Sequence, residues 1–376
     1  MKPEIFSEIG PLEKVFVYSP GEEHNLVSPS DVQPFILKDG QIVKNKNFLL
    51  FDDIIDLKLA QKQHKIFRDI INFYKEDSCI DIRPYLDEIA QEIGITNQYP
   101  LINLMYTRDI AVIVDKSILL TKSNSLVRRE ENLIADYIFK NHSLFQDCNI
   151  IDFKEIGQGL SLEGGDVFVL NGSTILIGIS ERTSKEAINI LIPYLFDEGF
   201  EYVMAINLPK KRAMMHLDTI FTQISKNEVI LFNQDNSIDN LDVYLSSKND
   251  NKKELYKQDC DILELLKTLG IDLNVISCGG DNDNFQLREQ LTDGANSFTL
   301  ESGKIIMYNC NDKTIQELEK NGYKHITSQL FQDDIDSFEK ILRSDSKVVI
   351  SIDGSELVKG RGGPRCMTLP IKRGKI

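Results

Sequence analysis

An order of elements that returns along this sequence limits its fold more than any other feature: two short apolar segments, a helical segment, then a third apolar segment. In the clearest copy, residues 166–170 lead to Asn171-Gly172 and back through 174–180, and Asn-Gly between apolar runs is the strongest short-range hairpin signal. Thr183 and Glu186 stand at capping-box spacing for the next helix, which Gly199 ends before a strand at 202–207. Pro193 falls inside that helix and is expected to kink it.

Three further copies follow the same order. Strands 110–115 and 117–121 precede a helix near 130–139, and strands 218–225 and 228–232 precede a helix near 253–269 and a strand at 273–278. Strands 297–301 and 304–308 precede a helix over 312–321 with Gly322 as its stop. A fifth copy joins the two ends of the sequence: strand 15–18, the amphipathic helix 53–74, strand 79–82, and the segments 347–353 and 366–370. Copies spaced by roughly 55 residues point to a closed radial repeat rather than a doubly wound sheet. The expectation is one α/β domain over 1–376 with pseudo-fivefold symmetry; the alternative is two α/β domains divided near residue 210. Residues 33–48 are read as an inserted loop or hairpin, and the Asn- and Asp-rich stretch 234–252 as a surface loop.

Charge narrows the partners. With 43 Lys and Arg against 58 Asp and Glu, the net charge of −15 repels nucleic acid and anionic membranes, and it favours a small cationic substrate. No apolar run reaches the roughly 18 residues of a membrane span, and no basic segment followed by an apolar run opens the sequence, so a cytoplasmic location is expected. Cys79, Cys148, Cys260, Cys278, Cys310 and Cys366 are scattered without a CxxC pair, which indicates neither a disulfide framework nor a thiolate zinc site.

Candidate chemistry lies at strand edges. Glu163-Gly-Gly-Asp166 puts carboxylates around a glycine pair, where a loop approaches a ligand or simply turns into a strand. His216 and Asp218, if extended, project from one face; Asp109 directly precedes an apolar strand. Cys366 follows Gly360-Arg-Gly-Gly-Pro-Arg365, a run read as a mobile loop whose last arginine is expected to lower the thiol pKa. In a radial repeat these strand ends converge, bringing one thiol, one imidazole and several carboxylates together for nucleophilic displacement at a cationic carbon. A divalent metal on Glu163, Asp166, His216 and Asp218 is the rival reading, and it leaves the cysteine unexplained.

The same residues carry a resemblance. Phe6-Ser-Glu-Ile-Gly, Tyr18-Ser-Pro-Gly, Leu50-Phe-Asp-Asp53, Tyr106-Thr-Arg-Asp109, Leu162-Glu-Gly-Gly-Asp-Val-Phe168, Ile177-Gly-Ile-Ser-Glu-Arg-Thr-Ser184, Met215-His-Leu-Asp-Thr219 and Gly360-Arg-Gly-Gly-Pro-Arg-Cys-Met367 occur in the order of bacterial arginine deiminases, which the sequence resembles over most of its length. The resemblance implies a five-bladed α/β propeller without cofactor or metal that converts free L-arginine to L-citrulline and ammonia through a covalent thiouronium. It implies Cys366 as nucleophile, His216 as general acid/base and Glu163 as the carboxylate that positions it. Asp109 and Asp218 are matched to the pair gripping the guanidinium; Asn103, Arg128 and Arg182 to groups binding the α-carboxylate; Gly360 and Arg361 to the loop closing over the site. Homo-oligomerisation is left open.

Two departures accompany it. Asp53 and Tyr106 stand too close for the family's helical insertion, and Tyr106 replaces a phenylalanine expected beside the guanidinium. Related activities share such residues: an amidinotransferase, a hydrolase releasing ornithine from arginine or citrulline, and a non-catalytic arginine-binding sensor.

Overall fold

The computed structural model describes residues 2–38, 40–94, 99–234, 238, 240–250 and 253–376. Among the described residues its α/β fold contains five mixed sheets with one bonding pattern in common: an antiparallel pair whose inner strand also takes a parallel partner. The parallel partner follows a helix, as a parallel connection requires. Ala111–Val114 and Ser117–Leu120 take Ile150–Asp152 across the helix Arg129–Asn141. Val167–Val169 and Thr174–Ile179 take Tyr202–Asn207 across Lys185–Asp197, and Phe221–Ser225 and Glu228–Leu231 take Asn274–Ser277 across Ile262–Thr268. Phe298–Glu301 and Lys304–Tyr308 take Val348–Ile352. In the sheet built from both ends of the sequence, Leu12–Val17 lies between antiparallel Leu369–Arg373 and parallel Cys79–Asp81.

Several expectations need correction. The strand near 347–353 belongs with Lys304–Tyr308, not with the chain-end sheet, and Lys324–Thr327 pairs on its far side. A continuous helix over 253–269 does not form: Tyr256–Lys257 is a strand, and the helix begins at Ile262, where Asp261 accepts the Leu263 and Glu264 N–H groups. The stretch 234–252 is not loop throughout, since Val243–Ser247 joins the sheet of Tyr202–Asn207; positions 235–237, 239 and 251–252 of that expectation lie outside the described residues. Residues 33–48 do hold a hairpin, Phe35–Lys38 with Gln41–Lys44, although position 39 lies outside the described residues.

Local chemistry explains the central sheet. The Asn171-Gly172 turn needs no positive φ, because the Asn171 side-chain oxygen accepts the Ser173 and Thr174 N–H groups at 2.9 and 2.8 Å. The helix cap is Ser184, one residue beyond the capping box read from sequence, and Ser184 accepts the Ala187 N–H. Thr183 is thereby free to accept the backbone N–H of Glu163 at 3.2 Å. The helix continues through Pro193 to Asp197, and Gly199 takes the positive φ that turns the chain toward the next strand. Across the molecule the helices bury one apolar face, as with Phe67, Ile70 and Ile71 at helical spacing in Leu57–Tyr74. Between Cys79–Asp81 and Tyr106 the described chain makes one short α-helix, Leu86–Ile93. Among the described residues no helix is long and apolar enough to cross a membrane.

Candidate active site

Three of the sheets are entered through a single 3-10 turn: Thr107–Asp109, Gly164–Asp166 and Leu217–Thr219. The turns meet because two of their residues lack side chains. A Cβ on Gly164 would run into the Arg108 carbonyl, and one on Gly165 would lie 2.5 Å from His216 Nδ1 and 3.0 Å from Asp109 Oδ1. The glycine pair therefore serves close approach. His216 and Asp218 do not share a strand face as their spacing implied; His216 is extended, but Asp218 lies in the turn that follows.

With the segment 357–366 these turns surround a small cavity of about 20 Å³ lined by Leu50, Asn103, Tyr106, Asp109, Arg128, Arg182, Met215, His216, Gly360, Arg361 and Cys366. Glu163 and Asp218 stand directly behind the lining and are fully buried. Glu163 Oε2 lies 2.9 Å from His216 Nε2, and its other oxygen accepts the Asn124 N–H at 2.8 Å. On the other side of the ring, Nδ1 is 3.7 Å from Asp109 Oδ1. Burial pulls the imidazole pKa down, but Asp109, Glu163 and Asp166 outweigh it and raise it to about 10, so His216 carries a proton to donate at neutral pH. Burial raises Glu163, yet Arg182, His216 and Arg128 hold it well below the usual carboxylate range.

Cys366 Sγ is 3.4 Å from Asp218 Oδ2 and 3.1 Å from Asn296 Nδ2. The lowering of its pKa by Arg365 is present but overridden. Burial and the carboxylates of Asp218, Asp109 and Asp293 push the thiol well above its ordinary value, and Arg365 is itself bonded to Asp218 at 2.8 Å and Glu8 at 3.2 Å. At rest Cys366 is a thiol. Asp218 Oδ1 faces no hydrogen-bond partner among the described residues although it is buried, an acceptor available to a ligand donor.

The remaining expected residues lie around this centre. Arg128 Nη1 donates to Asp109 Oδ2 at 2.5 Å, its Nε to Glu131 at 2.7 Å, and its Nη2 to the carbonyls of Asn103 and Tyr106. It is thus engaged with Asp109, the partner expected for the guanidinium. Arg182 approaches Glu163 at 3.4 Å and Met215 Sδ at 3.8 Å; Asn103 donates to the Leu49 carbonyl. Arg361 has left-handed backbone (φ 62) and donates to the Leu291 carbonyl, while its Nε is 3.5 Å from Asp52. The segment read as a mobile loop is packed. A Cβ on Gly360 would strike the Tyr106 hydroxyl, which donates to the Leu357 carbonyl at 2.9 Å.

For the rival metal reading the donors are committed elsewhere. Asp166 accepts the Leu217 N–H and the Ser180 hydroxyl, Glu163 holds His216, and Asp218 holds Arg365. Asp109, Glu163 and His216 bring ligand atoms within 4.8 Å of one another, but Arg128 and Arg182 already pair the two carboxylates. Sequence reasoning missed Glu131, Asp293 and Asn296. Asn296 had a usable signal, its position just ahead of the strand Phe298–Glu301.

A family model for arginine deiminase matches residues 88–373. The chain belongs to the arginine deiminase family. An arginine deiminase of Borreliella burgdorferi is 30% identical over 444 aligned positions, covering 99% of this chain and 98% of that protein. The alignment exceeds the 376 residues here, so that relative carries segments this chain lacks. Among solved structures, the product-bound N-terminal domain of ArgZ, a cyanobacterial arginine dihydrolase, superimposes with a TM-score of 0.58 at 13% identity, covering 96% of this chain and 98% of that one. A dimethylarginine dimethylaminohydrolase gives 0.54 at 16% identity, covering 95% and 99%. These two share the fold.

Proposed function

We propose that this chain hydrolyses free L-arginine to L-citrulline and ammonia, with Cys366 as nucleophile. The observation that carries the reading is the meeting, around one cavity, of a buried thiol, an imidazole held between Glu163 and Asp109, and the Asp218 carboxylate with an unpartnered oxygen. A guanidinium between Asp109 and Asp218 matches their planar acceptors and offers a donor to Asp218 Oδ1. Its charge neutralises two of the carboxylates that keep Cys366 protonated, so the thiol proton leaves to solvent as substrate binds.

The thiolate then forms an S–Cζ bond, giving a neutral tetrahedral adduct. His216 passes its proton to one terminal nitrogen, the C–N bond breaks, and ammonia departs from a cationic thiouronium. Neutral His216 next takes a proton from water as the oxygen bonds to Cζ. The C–S bond breaks, the sulfur receives the proton left on the ureido group, and citrulline is released. Ammonia takes up the proton first lost to solvent, so the sum is arginine cation plus water giving citrulline plus ammonium. Glu163 keeps His216 oriented throughout.

Asn103, Arg128 and Arg182 are assigned the α-carboxylate, and Gly360 with Arg361 the closing of the cavity. For Arg128 this entails release from Asp109 when the guanidinium arrives. We also read the five sheets as blades of one propeller over 1–376, short of most of the family's helical insertion, in a cytoplasmic enzyme of small-molecule metabolism. The test is a product assay on purified protein given arginine, quantifying citrulline, ammonia and ornithine with and without an amine acceptor. Equal citrulline and ammonia, no ornithine, and indifference to the acceptor are expected. Stoichiometric ornithine, or an amidino group passed to the acceptor, would replace the deiminase reading with a hydrolase or transferase.

A further inference from the structure

Of the strand-opening segments around the cavity, the one before Phe298–Glu301 contributed no residue to the sequence-derived site. It holds Asn296, which is fully buried. The Asn296 amide grips the nucleophile from two sides: Oδ1 accepts the Cys366 backbone N–H at 3.1 Å, and Nδ2 stands 3.1 Å from Sγ. The other Nδ2 hydrogen goes to the Asp218 carbonyl at 3.1 Å, which fixes the amide plane and decides which atom is nitrogen, since a carbonyl accepts only from a donor. Sγ therefore sits between an obligate acceptor, Asp218 Oδ2, and an obligate donor, Asn296 Nδ2. As a thiol it donates to the carboxylate. As a thiolate it has no proton to give, and the amide is the neutral donor that remains.

We propose that Asn296 is a further catalytic residue, whose side-chain N–H stabilises the Cys366 sulfur when it becomes negative, both before attack and as leaving group. A neutral amide suits this role. A lysine or arginine there would activate the thiol permanently and repel the incoming guanidinium, whereas an amide strengthens its bond only as charge develops on sulfur. Gly363 leaves room for it, because a Cβ there would lie 2.6 Å from the Asn296 carbonyl oxygen and 2.7 Å from Oδ1.

The role rests on Cys366 being the nucleophile but is measured without arginine turnover. Alkylation of Cys366 by iodoacetamide, followed by mass spectrometry across pH, reports thiolate formation in wild type, N296A and N296D. The midpoint is expected to move to higher pH in N296A and further in N296D, which puts a carboxylate beside sulfur. With arginine, kcat should fall about 10²-fold in N296A, the size of loss seen on deleting one oxyanion donor, with KM changed far less. An unmoved alkylation profile in a folded N296A overturns the proposal even if the kcat falls. Should both variants fail to fold, asparagine-labelled wild type decides: one side-chain amide proton must shift as Cys366 titrates and not in C366A, and its absence overturns the proposal. A wild type that alkylates as described yet leaves arginine intact refutes the deiminase function alone.

Discussion

Gly165 lies directly against the His216 ring, with space for a hydrogen but not a carbon: an added Cβ would be 2.5 Å from Nδ1. Because Glu163 holds the opposite edge at 2.9 Å, the ring has nowhere to retreat without breaking that bond. G165A should lower kcat by at least about 10²-fold, the usual range for a displaced general acid/base. Gly172, in the hairpin that follows, has open space around its Cβ position, so G172A should keep wild-type rates. Steady-state kinetics of the pair separates site geometry from general loss of structure.

Removing one charged donor should show what selects free arginine. R182A is expected to cut kcat/KM for arginine about 10²-fold, as for a charge-assisted bond lost in a buried pocket, while leaving any rate on agmatine, which lacks the α-carboxylate, nearly unchanged. Equal losses on both substrates would instead assign Arg182 to supporting Glu163, from which it is 3.4 Å.

A buried acid beside the site makes stability depend on pH. Burial pushes Asp293 up to about 7, above its ordinary 3.8, despite the pull of Arg361. A group with raised folded-state pKa contributes stability fully below its unfolded pKa and loses it as pH rises through the folded value. The Asp293 contribution should therefore decline from about pH 4 to pH 7. D293N, which mimics the neutral acid, should flatten that part of the wild-type Tm profile. Identical profiles would show that Asp293 titrates normally.

Tyr106 fastens the segment Leu357–Gly360 by its hydroxyl bond to the Leu357 carbonyl. Y106F gives the phenylalanine expected in the family but leaves that buried carbonyl short of a donor, at a cost of about 1–2 kcal/mol. Urea denaturation should register the loss. Limited proteolysis should quicken at Leu357–Gly360, and an unchanged cleavage rate would mean the segment is held by its glycine packing alone.

What the sequence made legible divides by the range of the interaction. The hairpin marked by Asn171-Gly172 and the one between Phe298–Glu301 and Lys304–Tyr308 lie where expected, because a few adjacent residues decide a turn. The third strand of the fourth repeat was misassigned, because nothing local distinguishes Val348–Ile352 as the partner of Lys304–Tyr308 rather than of the strand Leu12–Val17. His216 and Asp218 do come close to the cavity, but not from the shared strand face their spacing implies, because Asp218 lies in a 3-10 turn. Arg365 was expected to activate Cys366 on adjacency; its charge is largely spent on Asp218 and Glu8, neither of which is near it in sequence. Asn296 belongs to no motif, and its one signal, a place just ahead of the strand Phe298–Glu301, gains meaning only when that segment is set beside the three turns.

The sheet that joins Leu12–Val17 to Leu369–Arg373 also sets a timetable for synthesis. Arg365 and Glu8, 357 positions apart, must meet before Cys366 has its surroundings. During translation the first strand therefore waits, unpaired on one edge, while the rest of the chain is made and folds. On the proposed reading, a nascent or prematurely terminated product already owns its imidazole and its carboxylates but lacks Cys366, so consumption of substrate is withheld until this closing strand has left the ribosome.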